Sequence, residues 1–174
     1  MSVLIHPAIY AGATGAITTS AGLATTYTGL VLTNPIGSPV TLTVEQVSIA
    51  PIVAQAAARI IGLMVGYSGT TAQTQTTPIT PTPVAPVGAF SGSGAGLLAS
   101  AATITTPTLA MLLGELDTGA ITVVTANIQV IPMRNNNGDP LIVIPPGGYV
   151  AFYTSTASTA SSLAFSFTWG EYGE

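Results

Sequence analysis

Few residues in this chain could do chemistry, and most of the usual reagents are missing. It has no cysteine, no lysine and a single histidine, His6, in 174 residues. Thiol nucleophiles, zinc–thiolate centres and lysine-based catalysis are excluded together, and His6 has no cysteine or lysine to activate. Asp117-Thr118-Gly119-Ala120, after Leu116, is the sharpest candidate. Asn135, Asn136, Asn137 and Asp139 could offer oxygens to calcium, although calcium favours more charge than one carboxylate supplies. Trp169 and Tyr172 could stack on a sugar ring.

Each candidate has a plainer reading. Asp117 to Ala120 resembles the catalytic loop of retroviral-type aspartic proteases over four residues, which implies an aspartate that activates water, with two copies sharing one proton across a dimer. That family places a hydrophobic-hydrophobic-Gly segment after the loop, whereas Ile60-Ile61-Gly62 precedes it here. Glu115, two residues before Asp117, also suits a buried acidic pair poorly, so a turn is the better reading. Asn135 to Asp139 reads as a tight turn without calcium. Trp169 shares the parity of Leu163, Phe165 and Phe167, which predicts a core position. Gly92 to Gly96 lacks the third glycine and the strand-to-helix context of a dinucleotide site, so it reads as flexible linker. No catalytic, cofactor-binding or metal-ligating residue is assigned, and the chain reads as non-enzymatic.

Composition restricts partners. Charged residues make up 5% of the chain, against about 25% in ordinary soluble domains. Arg59 and Arg134 are the only strong cations and the net charge is −4. That excludes nucleic-acid binding through phosphate neutralisation and argues against anionic membranes. The longest apolar window, Val47 to Gly66, carries Pro51, Gln55 and Arg59, which argues against a membrane span. The start, with His6-Pro7 interrupting its apolar run, makes a poor signal peptide. A surface of hydroxyls and amides is cheap to desolvate, which suits a subunit packed into an assembly. Arg59 is expected to pair with a carboxylate or to lie at an interface.

The elements that would position these residues are strands. Leu141 to Thr154 and Ser162 to Tyr172 read as a closing hairpin, with strict period-two alternation in the second strand. Leu23 to Thr33 and Val40 to Ala50 read as another, joined at Asn34 to Ser38. A parity switch after Gln46 predicts a bulge or a bend between sheets. The stretch 53–60 permits a helix, but Ala57 to Gly66 is better as a buried strand. Leu109, Met111 and Leu113 share a face. In Ala120 to Ile131, Val124, Ala126, Ile128 and Val130 form the apolar side of a half-buried strand. Residues 68–96, with Pro78, Pro81, Pro83 and Pro86, read as a long surface loop, since prolines at that density do not suit a ladder. Residues 1–22 read as an extended arm or a first weak strand. The expectation is an all-β, antiparallel β-sandwich of roughly seven to nine strands over residues 23–174.

The Asn34 to Ser38 turn, the Gly-rich middle, the Pro145-Pro146-Gly147-Gly148-Tyr149-Val150 stretch and the closing aromatic strand ending Trp169-Gly170-Glu171 resemble small β-sandwich decoration, or cement, proteins of tailed-bacteriophage virions. The resemblance implies a jelly-roll-like fold and homotrimers that bind the major capsid protein on the capsid surface through loops and the arm. It supplies no functional residue. An alternative is a carbohydrate-binding or adhesion module of a phage tail or cell surface.

Overall fold

The aromatic alternation near the C-terminus sets the geometry of the computed structural model, which describes residues 7–53, 58–84, 94–116, 128–158 and 162–173. Leu163–Gly173 is one strand, with Leu163, Phe165, Phe167 and Trp169 buried and Ala164, Ser166 and Thr168 on its other side. Numbered in chain order, the strands are β1 (Ala8–Ala13), β2 (Thr26–Thr33), β3 (Val40–Pro51), β4 (Arg59–Tyr67), β5 (Thr74–Ile79), β6 (Thr82–Pro83), β7 (Leu97–Thr103), β8 (Thr108–Leu116), β9 (Gln129–Pro132), β10 (Val143–Ile144), β11 (Gly148–Thr154) and β12 (Leu163–Gly173). They form two antiparallel sheets, and no helix occurs among the described residues. The first sheet runs β10-β3-β12-β1-β6, with β9 also on β3; the second runs β5-β7-β2-β11-β4-β8. The expected all-β sandwich is therefore present.

The main core lies between the sheets. Leu42, Val44, Val47, Ile49, Phe165, Phe167 and Trp169 come from the first sheet, and Leu30, Leu32, Ile61, Leu63, Val150 and Phe152 from the second. Phe152 stacks on Phe165 and Phe167, with ring centroids 4.4 and 4.9 Å apart. The bulge predicted in β3 is at Glu45: Gln46 faces Thr168 and Val44 faces Trp169, leaving Glu45 as the extra residue.

Both expected hairpins are corrected. β11 and β12 lie in different sheets, as do β2 and β3. The apolar faces of β11 and β12 meet across the core instead of pairing edge to edge. The β2–β3 turn crosses because Asn34 is latched elsewhere. Its buried side-chain amide donates to Val40 O and Ile144 O (2.8 and 2.9 Å), and its backbone exchanges hydrogen bonds with Gly147 and Gly148. Periodicity identifies strands and their faces, but not whether a connection closes a ladder or changes sheet.

Two further expectations change, and the two readings of residues 1–22, arm or first strand, resolve to a strand. Within 68–96, β5 and β6 are ladder strands carrying Pro78 and Pro83. Each is the outermost strand of its sheet, where a missing N–H leaves no central ladder broken. Within 1–22, Ala8–Ala13 pairs along β12 and is integral to the first sheet. In β9 the parity is inverted: Ile131 packs against the core and Val130 is exposed. The expected strand over 120–131 lies outside the described residues up to 127, and Ala57, its expected counterpart at the start of β4, is outside them too.

A second buried cluster occupies the opposite face of the second sheet. It comprises Tyr27, Val31, Met64, Ala99, Ala102, Ile104, Tyr149 and Ala151. Tyr27 donates its hydroxyl to Phe152 O at 2.7 Å, across a bulge in β2. Gly29 makes this possible. Its φ is +140°, and a Cβ there would sit 2.1 Å from the Tyr27 hydroxyl oxygen.

Phe152→Ala removes the ring that joins the sheets. Equilibrium urea unfolding should show a loss of about 3–5 kcal/mol with an unchanged denaturant slope. Truncating the exposed Leu23 to Ala should stay within about 0.5 kcal/mol.

Candidate functional site

The sequence candidates that fall among the described residues are found in different settings. Asp117 to Ala120 and His6 lie outside the described residues. Glu115 is exposed on β8, opposite Ile60 of β4. Trp169 is 0% exposed and packs in the main core, stacked on Tyr10 with centroids 5.9 Å apart. It presents no ring to a sugar. Tyr172, near the end of β12, is half-buried.

The Asn135 to Asp139 segment is a turn held by its own side chains. Asn135 Oδ1 accepts from the backbone N–H of Asn137 and Asp139, both at 2.9 Å. Asn135 Nδ2 donates to Asp139 Oδ2 at 3.0 Å. This is an Asx turn, in which the side chain takes the place of a backbone acceptor. Arg134 anchors its base by donating to Gly138 O and pairing with Glu45. Glu45 and then Tyr172 hold the Arg134 pKa above its ordinary value. The hairpin interrupts the edge of the first sheet, since β9 and β10 both pair with β3 on either side of Glu45. No group of three or more His, Cys, Asp or Glu suited to a metal occurs among the described residues.

The glycine stretch is fixed rather than flexible over 94–96, which corrects the linker reading for that part. Glu171 accepts from Ala95 N and Gly96 N, both at 2.9 Å, and from Trp169 Nε1 at 3.1 Å. A Cβ on Gly94 would fall 2.7 Å from Glu171 Oε1, and one on Gly96 2.8 Å from Trp169 Nε1. Glycine permits the close approach, and the carboxylate holds the strand entry through charge-assisted bonds. Gly92 and Ser93 lie outside the described residues.

One surface groove among the described residues was not singled out by sequence. An open groove of about 510 Å³ lies between β4 and β8 of the second sheet and residues 141–145 at the edge of the first. Its wall is mainly apolar, from Val65, Ala110, Leu141, Val143 and the rings of Tyr67 and Tyr149. Tyr67 is 61% exposed. The Tyr149 hydroxyl donates to Thr105 O at 2.9 Å. The next residue, Thr106, lies on the rim with φ +42°, an unfavourable conformation for a β-branched residue. Such strain costs about 1–3 kcal/mol and is retained where packing over-determines it. No sequence motif marks the groove, because it forms where two edges distant in sequence meet. Comparison with protein-family models, curated proteins and solved structures finds no match.

Burial raises the pKa of Tyr27 and Tyr149 well above the ordinary phenol value. The unfolded chain therefore ionises these tyrosines first, near pH ~10. Their contribution is complete below that pH and is lost as pH rises above it, by about 1.4 kcal/mol per pH unit for each tyrosine. Urea midpoints should be flat from pH 7 to 9 and fall from 10 to 12. The double variant Tyr27→Phe, Tyr149→Phe should fall less steeply; an unchanged slope would contradict the assignment. Independently, Glu171→Gln should cost about 1.5–3 kcal/mol in the same measurement at pH 7.

Proposed function

We propose that the chain is a non-enzymatic structural subunit of a virion, of the capsid-decoration kind, which associates with copies of itself and with a capsid lattice. One observation carries this reading: the flank formed by β4, β8, β9 and β10 exposes large apolar side chains with little charge. Tyr67, Leu112, Ile128, Val130, Leu141 and Val143 are each more than two-fifths exposed there. Glu115 is the only charged residue of β8. Large exposed apolar surfaces are uncommon on soluble monomers and commonly mark association sites. The opposite flank, edged by β5 and β6, carries Pro78 and Pro83, a common protection against edge-to-edge pairing.

Strand order supports the same reading. With β5, β6 and β7 set aside, β1-β12-β3-β9/β10 faces β2-β11-β4-β8. The connections β1–β2, β2–β3, β3–β4, β8–β9, β10–β11 and β11–β12 all change sheet. We read this as a jelly roll with β5, β6 and β7 inserted, an architecture frequent in viral shells. The trimer and the capsid-surface location belong to the proposal on the strength of the resemblance described above. Burial of Trp169 removes one of the two rings that motivated the carbohydrate-binding alternative.

Light scattering after size exclusion should show a closed oligomer, and the protein should co-sediment with capsids lacking it. The double variant Leu112→Glu, Val143→Glu should remain folded by circular dichroism while binding capsids at least roughly tenfold more weakly. A stable monomer with no affinity for capsids would sink the proposal.

A further inference from the structure

We propose that Arg59 is a binding site for a carboxylate supplied by a second molecule. Arg59 begins β4 and lies opposite Leu116, the last residue of β8. It shares strand parity with Ile61, a member of the main core, so its side chain enters the space between the sheets at one end of the sandwich. It is 4% exposed, and its Nε and Nη1 have no hydrogen-bond partner.

No described carboxylate neutralises it. Glu45 is engaged by Arg134 and Thr43, Glu171 by Ala95, Gly96 and Trp169, and Asp139 by Asn135. Glu115 is exposed and points to the other side of the β4–β8 pair. A guanidinium stays charged even where burial lowers its pKa, as it does here. A trapped water could occupy one N–H but would leave the charge uncompensated. A carboxylate meets both needs, because its two oxygens match the planar array of guanidinium donors. This site lies at the other end of β4 from Tyr67 and does not depend on the virion reading.

The carboxylate could be a free small anion or an acidic side chain of another copy, and the same experiment separates these sources. Wild type, Arg59→Met and Asp117→Asn are melted in sodium formate, sodium phosphate and sodium chloride at equal ionic strength, each at two protein concentrations. Without formate, Arg59→Met should melt no lower than wild type, because it removes an unpaired buried charge while retaining volume. A free-anion site gives wild type a formate-specific rise of about 3 °C or more at saturating anion, absent from Arg59→Met. A site filled by another copy instead gives wild type a rise with protein concentration that Arg59→Met lacks. Either result supports the proposal. It is overturned if neither rise occurs, if Arg59→Met retains the rise, or if phosphate acts where formate does not. It is also overturned if Asp117→Asn lowers the midpoint equally at both protein concentrations and gains a formate-specific rise that wild type lacks, since the carboxylate would then be the chain's own.

Discussion

The contact on which the fold depends is Phe152 of one sheet against Phe165 and Phe167 of the other. Two antiparallel sheets that each present an apolar face to the other are unstable apart, and they gain stability where those faces interdigitate. β12 contributes four large buried residues at alternate positions and lies between β3 and β1. β11 lies between β2 and β4 in the facing sheet. The two strands consecutive at the C-terminal end are thus the inner strands of opposite layers. Their connection must span the sandwich, and the other strands extend outward from this pair.

A fold whose connections change sheet needs its corners held, because each corner exposes backbone groups that no ladder satisfies. Asn34 does this at one end, joining the β2–β3 corner to the β10–β11 corner through its amide and backbone. Glu171 does it for the entry to β7, binding two consecutive backbone N–H groups. At the opposite end of the sandwich, Thr19, Thr154 and Ser158 form a buried hydroxyl cluster. Polar side chains here serve mainly to close connections. That is why the residues best equipped for chemistry by type, such as Asn135 and Glu171, are found holding turns.

The layers were legible in the sequence because period two is a direct consequence of strand geometry. Leu163, Phe165, Phe167 and Trp169 read as core and are core, and the parity switch at Gln46 located the Glu45 bulge. Connectivity was not legible, since Asn34-Pro35 looks the same at a hairpin turn and at a sheet-changing corner. Pro78 and Pro83 misled for a related reason: the rule against ladder prolines holds for central strands, and edge status is a tertiary property. Val130 misled because alternation gives two faces without saying which turns inward. The groove had no sequence signal, since β4, β8 and residues 141–145 come together only after folding.

Charge placement connects these observations to association. Glu45, Arg134, Asp139 and Glu171 are all engaged in intramolecular contacts. Among the described residues this leaves Glu115 exposed and Arg59 buried without a hydrogen-bond partner on two of its nitrogens. Such a surface generates little long-range field, so electrostatic steering contributes little to encounter rates. Away from Arg59, affinity for a partner must then come from apolar burial and shape, which act mainly on dissociation. A crowded, repetitive assembly suits that balance. In the assembly proposed above, high local concentration would substitute for steering and slow dissociation would hold each subunit in place.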